Sequence, residues 1–237
     1  MLDIKLRSQV FDVGLLTEEM KQAMYALMDE FYAQMNYNKF LADLSEKDYC
    51  ILLQGDNLEI RGFSTLQIVT IQSNGRAISG VFSGDTIIHQ ENWGSLELFK
   101  TFAQFVFALA KEYQEFYWFL ISKGYKTYKM LPLFFKEFYP NYQVTTADYE
   151  QSILHAFGHY KFSDEYCPVR GVVKYQAVKD TLRPGVADIT EKQLRDKNIA
   201  FFVEKNPGYA HGEDLVCIAK FDQANLRSPI RRLLLGE

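Results

Sequence analysis

The stretch AISGVFSGDTIIHQENWG, residues 77–94, decides how the rest of the chain is read. Apolar and small residues run as far as Ile88, then a polar loop carries His89, Gln90, Glu91 and Asn92 before Trp93 and Gly94 close it. Ser95 is a good N-cap for a helix over 96–113. A strand leading through a glycine-bearing turn into a helix start leaves backbone N–H groups unpaired, and the helix dipole adds positive potential there. The junction is therefore expected to receive a ligand with polar head groups.

On the N-terminal side, residues 48–54 and 58–72 have strand composition, with Gly55, Asp56 and Asn57 as a tight turn. Asn74-Gly75 marks a type I′ hairpin into residue 77. The three strands predict an antiparallel meander. Before it, an opening strand is expected over 3–10, an amphipathic helix over 17–35 capped by Thr17, and a short helix over 38–44. On the C-terminal side the helix over 96–113 is followed by the apolar run 115–122, a buried strand. A strand, a helix and a strand in succession imply a crossover and local parallel pairing.

The segment 125–139 is expected to be helical, interrupted at Pro132 and ended by Pro140. Beyond it come helices over 149–160, after Thr190 and over 226–235, with strands in 168–175 and 214–221. The chain divides into a core over 1–145 and a C-terminal part, 146–237, expected to complete the same domain. The fold class is α/β (α+β), a mixed, mostly antiparallel central sheet flanked by helices.

A net charge of −4 without a basic tract argues against nucleic acid as the main partner. Cys50, Cys167 and Cys217 stand far apart, an odd count that suits reduced thiols in a cytoplasmic protein. His155 and His159 share a helix face but lack a third ligand, so no metal site is expected. No apolar run approaches the roughly 18 residues of a membrane span. Aromatic residues make up 15% of the chain, which a rich core, an apolar ligand tunnel or a homodimer interface would each absorb.

The order of elements over roughly 15–140 resembles the GNAT superfamily of N-acyltransferases. The resemblance implies that strand 77–88 splays from strand 115–122 and that an acyl-pantetheine arm enters the gap. The loop from His89 to Ser95 would wrap the donor pyrophosphate. At the family's Arg/Gln-x-x-Gly-x-Gly/Ala positions this chain has Glu91, Gly94 and Leu96, so only the central glycine matches. Glu91 and Glu97 oppose an anion unless they turn outward or meet Lys100. Gln90 lies one residue out of register, and Lys123 and Lys126 (with Lys129) offer charge from the opposite wall.

The implied activity is N-acyl transfer from acyl-CoA or an acyl carrier protein, as co-substrate and not as a bound cofactor, to a primary amine of a small molecule or peptide. The methionines of 17–35 and the run Phe116, Tyr117, Trp118, Phe119, Phe134, Phe135 and Phe138 would suit a long acyl chain. Ser83, Gly84 and Thr86, with Trp93, Gly94 and Ser95, are the expected donor contacts. For a general base the order is Asp85, His89, Glu59, because a partly buried carboxylate has a raised pKa suited to base work. The resemblance places the general acid on the helix after the fifth strand, where Tyr128 is best placed. Phe134-Phe135 stands where the family has Leu-Tyr. A non-catalytic acyl- or small-molecule-binding module is the competing expectation.

Overall fold

Strand-forming alternation and the helix caps assemble the chain around a mixed sheet in a computed structural model, which describes residues 6–176 and 180–235. In order the elements are β1 (Arg7–Asp12), α1 (Glu18–Phe31), β2 (Tyr32–Ala33), α2 (Tyr37–Ser45), β3 (Tyr49–Gln54), β4 (Ile60–Ser73) and β5 (Arg76–Ile88). They continue as α3 (Glu97–Ala110), β6 (Phe116–Ser122), α4 (Tyr125–Tyr128), α5 (Met130–Phe134), α6 (Asp148–Phe162), β7 (Tyr166–Cys167) and β8 (Val172–Val173). The last are β9 (Thr181–Leu182), α7 (Lys197–Lys205), β10 (Asp214–Lys220) and α8 (Ser228–Leu235).

The large sheet has the order β1-β3-β4-β5-β6-β10-β8-β7, and β2 pairs with β9 in a small separate ribbon. Every neighbouring pair of the large sheet is antiparallel except β5 and β6. The β4–β5 hairpin turns on Asn74 and Gly75, whose φ values of 50° and 73° are what a type I′ turn requires. Because strand side chains alternate, Cys50, Leu52, Phe63 and Ile87 pack under α1 and α2 while Ile51, Leu53 and Leu66 face the other layer. That other layer is led by Leu98, Phe99, Phe102 and Val106 of α3. Over the far half of the first face, Ile153, Leu154 and Phe157 of α6 cover Phe119, Val216 and Ile218. β10 lies beside β6, so the C-terminal third contributes strands to the sheet built by the N-terminal part.

Several expectations are corrected. The first strand begins at Arg7; residues 3–5 of the expected span lie outside the described residues. Residues 125–139 form two short helices, and then Phe135 bridges to Leu226 and Tyr139 to Ile218. Pairing with distant backbone outweighs local apolar periodicity there. The helix expected after Thr190 starts at Lys197, where the Asp196 carboxylate accepts from the N–H groups of Asn198 and Ile199. Phe116, Tyr117, Phe119, Phe134, Phe135 and Phe138 are buried in the packed core, so they do not wall a tunnel.

Phe119 is fully buried and stacks on Phe157 with ring centroids 4.4 Å apart. Phe119→Ala is expected to cost about 3–5 kcal/mol in urea denaturation, against less than about 0.5 kcal/mol for Tyr160→Ala on the exposed face of α6.

Candidate functional site

The site begins where two irregularities of β5 coincide. Parallel pairing with β6 runs only from Ser79 opposite Phe116 to Ser83 opposite Leu120. On the other side of β5, Ser64 pairs with Thr86 and Leu66 with Ser83, so Gly84 and Asp85 together stand against the single residue Thr65. That is a β-bulge, which bends the strand and re-aims its side chains. A Cβ on Gly84 would lie 2.7 Å from the Thr65 hydroxyl and 2.8 Å from the Lys47 side chain, so glycine is what allows the bulge to close.

Beside the bulge is a cavity of about 220 Å³ bounded by α1, α2, the last turn of α6 and the segments after β6 and before β9. Ser83, Gly84, Asp85, Thr86 and Lys123 line it, together with Trp118 from β6. Ser83 accepts the Trp118 indole N–H at 2.8 Å, and the hydroxyls of Thr86 and Ser64 are 2.8 Å apart. Apolar side chains, among them Met28, Phe82, Ile121 and Met130, form much of its wall.

Charge in the cavity is mostly paired. Lys47, whose side chain is inaccessible to solvent, donates to the Asp43 carboxylate at 2.7 Å. Lys123 donates to Asp180 at 2.8 Å, and Tyr175 donates to Asp214 at 2.6 Å. Burial opposes the Lys123 ammonium, but Asp214 and Asp180 outweigh it and hold the pKa above the usual lysine range. Asp85 is different. Burial raises its pKa first and Asp43 and Asp180 raise it further, against the opposing pull of Lys47 and Lys123, to about 7. Burial, with Asp85, Asp180 and Asp214, also keeps the Tyr32 phenol well above its ordinary range.

The loop after β5 forms a second cluster outside this cavity. His89 lies 3.8 Å from Glu30 and 3.7 Å from Glu91, and its Nδ1 accepts the Glu91 N–H. Glu91 turns to Arg61 at 3.4 Å, and Glu97 meets Lys100 at 3.2 Å. Glu97 thus has Lys100 as its cation, while Glu91 shares Arg61 with Glu59. Gly94 has φ 97°, a left-handed value that favours glycine, and the Ser95 hydroxyl accepts the Glu97 N–H. Trp93 donates to the Ile88 carbonyl, and the Lys126 ammonium sits 3.6 Å from its ring centroid. Gln90 is exposed in the short turn that precedes them.

Of the expected catalytic side chains, then, Asp85 faces the cavity while His89 stays with Glu30 and Glu91. Glu59 pairs with Arg61 at 2.8 Å on the surface. Tyr128 is fully buried, packs against Phe138 and Phe202, and donates to the Pro140 carbonyl at 2.9 Å, so its phenol is fixed in the core. Of the aromatic run, Trp118 alone lines the cavity. His155 is hydrogen-bonded to Tyr166 at 3.0 Å and His159 packs edge-on to the same ring. Among the described residues no group of three His, Cys, Asp or Glu side chains could hold a metal ion, and no helix is long and apolar enough to cross a membrane. Sequence reasoning missed Tyr32, Asp43, Lys47, Asp180 and Asp214. The i,i+4 spacing of Asp43 and Lys47 was a usable signal, whereas Asp180 and Asp214 arrive only through tertiary packing.

No protein-family model matches the sequence, and no curated protein is significantly similar to it. Among solved structures, the chain is similar to a GNAT family N-acetyltransferase from Escherichia coli in complex with CoA, at 11% identity over 52% of this chain and 67% of that one, with a TM-score of 0.37. It is also similar to a conserved protein of unknown function from Enterococcus faecalis described as a probable N-acyltransferase, at 11% identity over 90% of this chain and 65% of that one, TM-score 0.43. A third is Saccharomyces cerevisiae N-myristoyltransferase with bound myristoyl-CoA, at 9% identity over 49% of this chain and 31% of that one, TM-score 0.37.

Asp85 binds its proton more tightly in the folded chain, with a pKa of about 7 against an ordinary 3.8. The folded state holds the extra proton between those values, so Asp85 costs stability as pH rises through that window, by up to ~1.4 kcal/mol per pH unit. Asp85→Asn is expected to remove this cost. Denaturation at pH 5 and pH 8 should show the variant gaining on the parent at the higher pH; an unchanged difference would mean that Asp85 is not desolvated.

Proposed function

We propose that this chain is an N-acyltransferase of the GNAT type, moving an acyl group from a pantetheine thioester to a primary amine. The observation that carries the proposal is the bulge at Gly84–Asp85, set at the point where β5 leaves β6 and bearing a carboxylate with a pKa of about 7. A thioester entering the open gap meets backbone N–H groups of β5 that have no β6 partner beyond Ser83. Such fixed dipoles polarise the carbonyl and stabilise the oxyanion that forms on it.

The acceptor amine enters from the cavity side. Its nitrogen attacks the thioester carbonyl, the N–C bond forms, and Asp85 takes the proton that the nitrogen sheds. Collapse of the tetrahedral species breaks the C–S bond, and Asp85 returns the proton to the departing thiolate. A carboxyl group near 7 is suited to both transfers, because catalysis by proton transfer is most effective when the pKa lies near the working pH. The Tyr32 phenol, whose pKa is raised, stays neutral beside it.

The polar end of the donor is assigned to the loop cluster: Gln90, Trp93, Gly94, Ser95 and, across from them, Lys126. The pairing of Glu97 with Lys100 and the approach of Glu91 to Arg61 support this, since they reduce the repulsion that those carboxylates exert on an anion. Both CoA and an acyl carrier protein present the same pantetheine arm.

The test is release of free thiol from acyl-CoAs of graded length, with and without amine acceptors. Amine-dependent release is expected, with kcat/KM falling as pH drops below about 7. Asp85→Asn should lower kcat by roughly 10²–10⁴-fold, and His89→Ala should leave it within about twofold. Donor protection against thermal unfolding without turnover on any amine would replace the enzyme by a binding module.

A further inference from the structure

The charges lining the cavity leave a definite remainder once their internal pairs are set aside. Lys47 is taken by Asp43, Lys123 by Asp180, and Lys161 by Glu46 at 3.0 Å. Asp214 accepts from Tyr175. Among the described residues, the Asp85 carboxylate on the lining has neither a hydrogen bond nor an ion pair from another side chain, and the Lys39 ammonium on the same lining has no ion pair within 4 Å. Lys39 sits on the first turn of α2, one turn before Asp43 on the same helix face, and is exposed, so its ammonium stands at the mouth while Asp85 lies inside on β5.

A negative group on β5, a positive group on α2 and apolar side chains on the same lining complement a small zwitterion that carries an apolar side chain. We infer that the acceptor is a free α-amino acid with an apolar side chain. Its amine meets Asp85, its carboxylate meets Lys39, and its side chain packs against Met35, Phe40 and Phe82. A desolvated carboxylate without a partner is costly, and an incoming ammonium offsets that cost directly. The volume of about 220 Å³ also fits. It falls below the roughly 300–1,000 Å³ of pockets that enclose drug-sized ligands, so a compact acceptor is favoured over a folded peptide segment. The inference rests on the acyl-transfer proposal for the word acceptor, but the binding it requires does not depend on that proposal.

Isothermal titration without donor separates the two. The probes are L-leucine, L-leucinamide and 3-methylbutylamine, which share the side chain and amine and differ at the carboxylate. Leucine is expected to bind at least tenfold more tightly than either of the others. Lys39→Gln should shrink that preference to within about twofold while leaving 3-methylbutylamine unchanged, and Lys39→Arg should restore it; near-ultraviolet circular dichroism checks that the variants are folded. Equal binding of all three probes, a preference that survives Lys39→Gln, or no binding of leucine overturns the inference. Leucine that binds and is not acylated while other amines are would overturn the inference. Leucine that binds while no thioester acylates any amine would sink the transferase proposal and leave the amino-acid site standing. Acyl transfer to leucinamide in preference to leucine does the reverse.

Discussion

Hydrogen bonding between β5 and β6 stops at Ser83 and Leu120, and most of what the molecule offers chemically depends on that stop. Up to that point the two strands are ordinary members of the sheet, held by the α3 crossover on one face and α6 on the other. Beyond it β5 continues with β4 alone, and the bulge opposite Thr65 bends it further. Buried backbone groups cannot be left without partners cheaply.

The surroundings of that gap are organised to keep charge fixed. Lys47 and Lys123 are each held by a carboxylate from a different element or turn, and they temper the repulsion between Asp85, Asp43 and Asp180. The result is a carboxyl group that changes protonation near neutrality in a half-buried setting. Before and at the start of α3, by contrast, Glu91 and Glu97 each lie beside a cation, Arg61 and Lys100. The two clusters lie at the two ends of the same irregular strand and loop, which is the economy of the arrangement.

Much of this was legible along the chain. Thr17 caps α1 as its position implied, accepting from the Met20 N–H, and Asn74-Gly75 makes the hairpin that sets the meander in register. Asp85, ranked first among the candidate bases, lies in the bulge and lines the cavity. What failed was of one kind. Tyr128 followed a strand at a plausible distance, yet its ring is enclosed by Phe138, Phe201 and Phe202. His89 is four residues from Asp85, yet Glu30 at the end of α1 draws it away.

Local patterning by itself determined the elements from β3 to β6, because strand alternation, turn dihedrals and caps are settled by neighbours within a few residues. Tertiary structure decided which side chains meet. Asp43 and Lys47 come from near α2, Asp180 from the segment before β9, and Asp214 from β10, and no sequence spacing encodes their convergence. The pKa of Asp85 depends on that convergence, because desolvation and Coulomb interaction act through space and not along the chain.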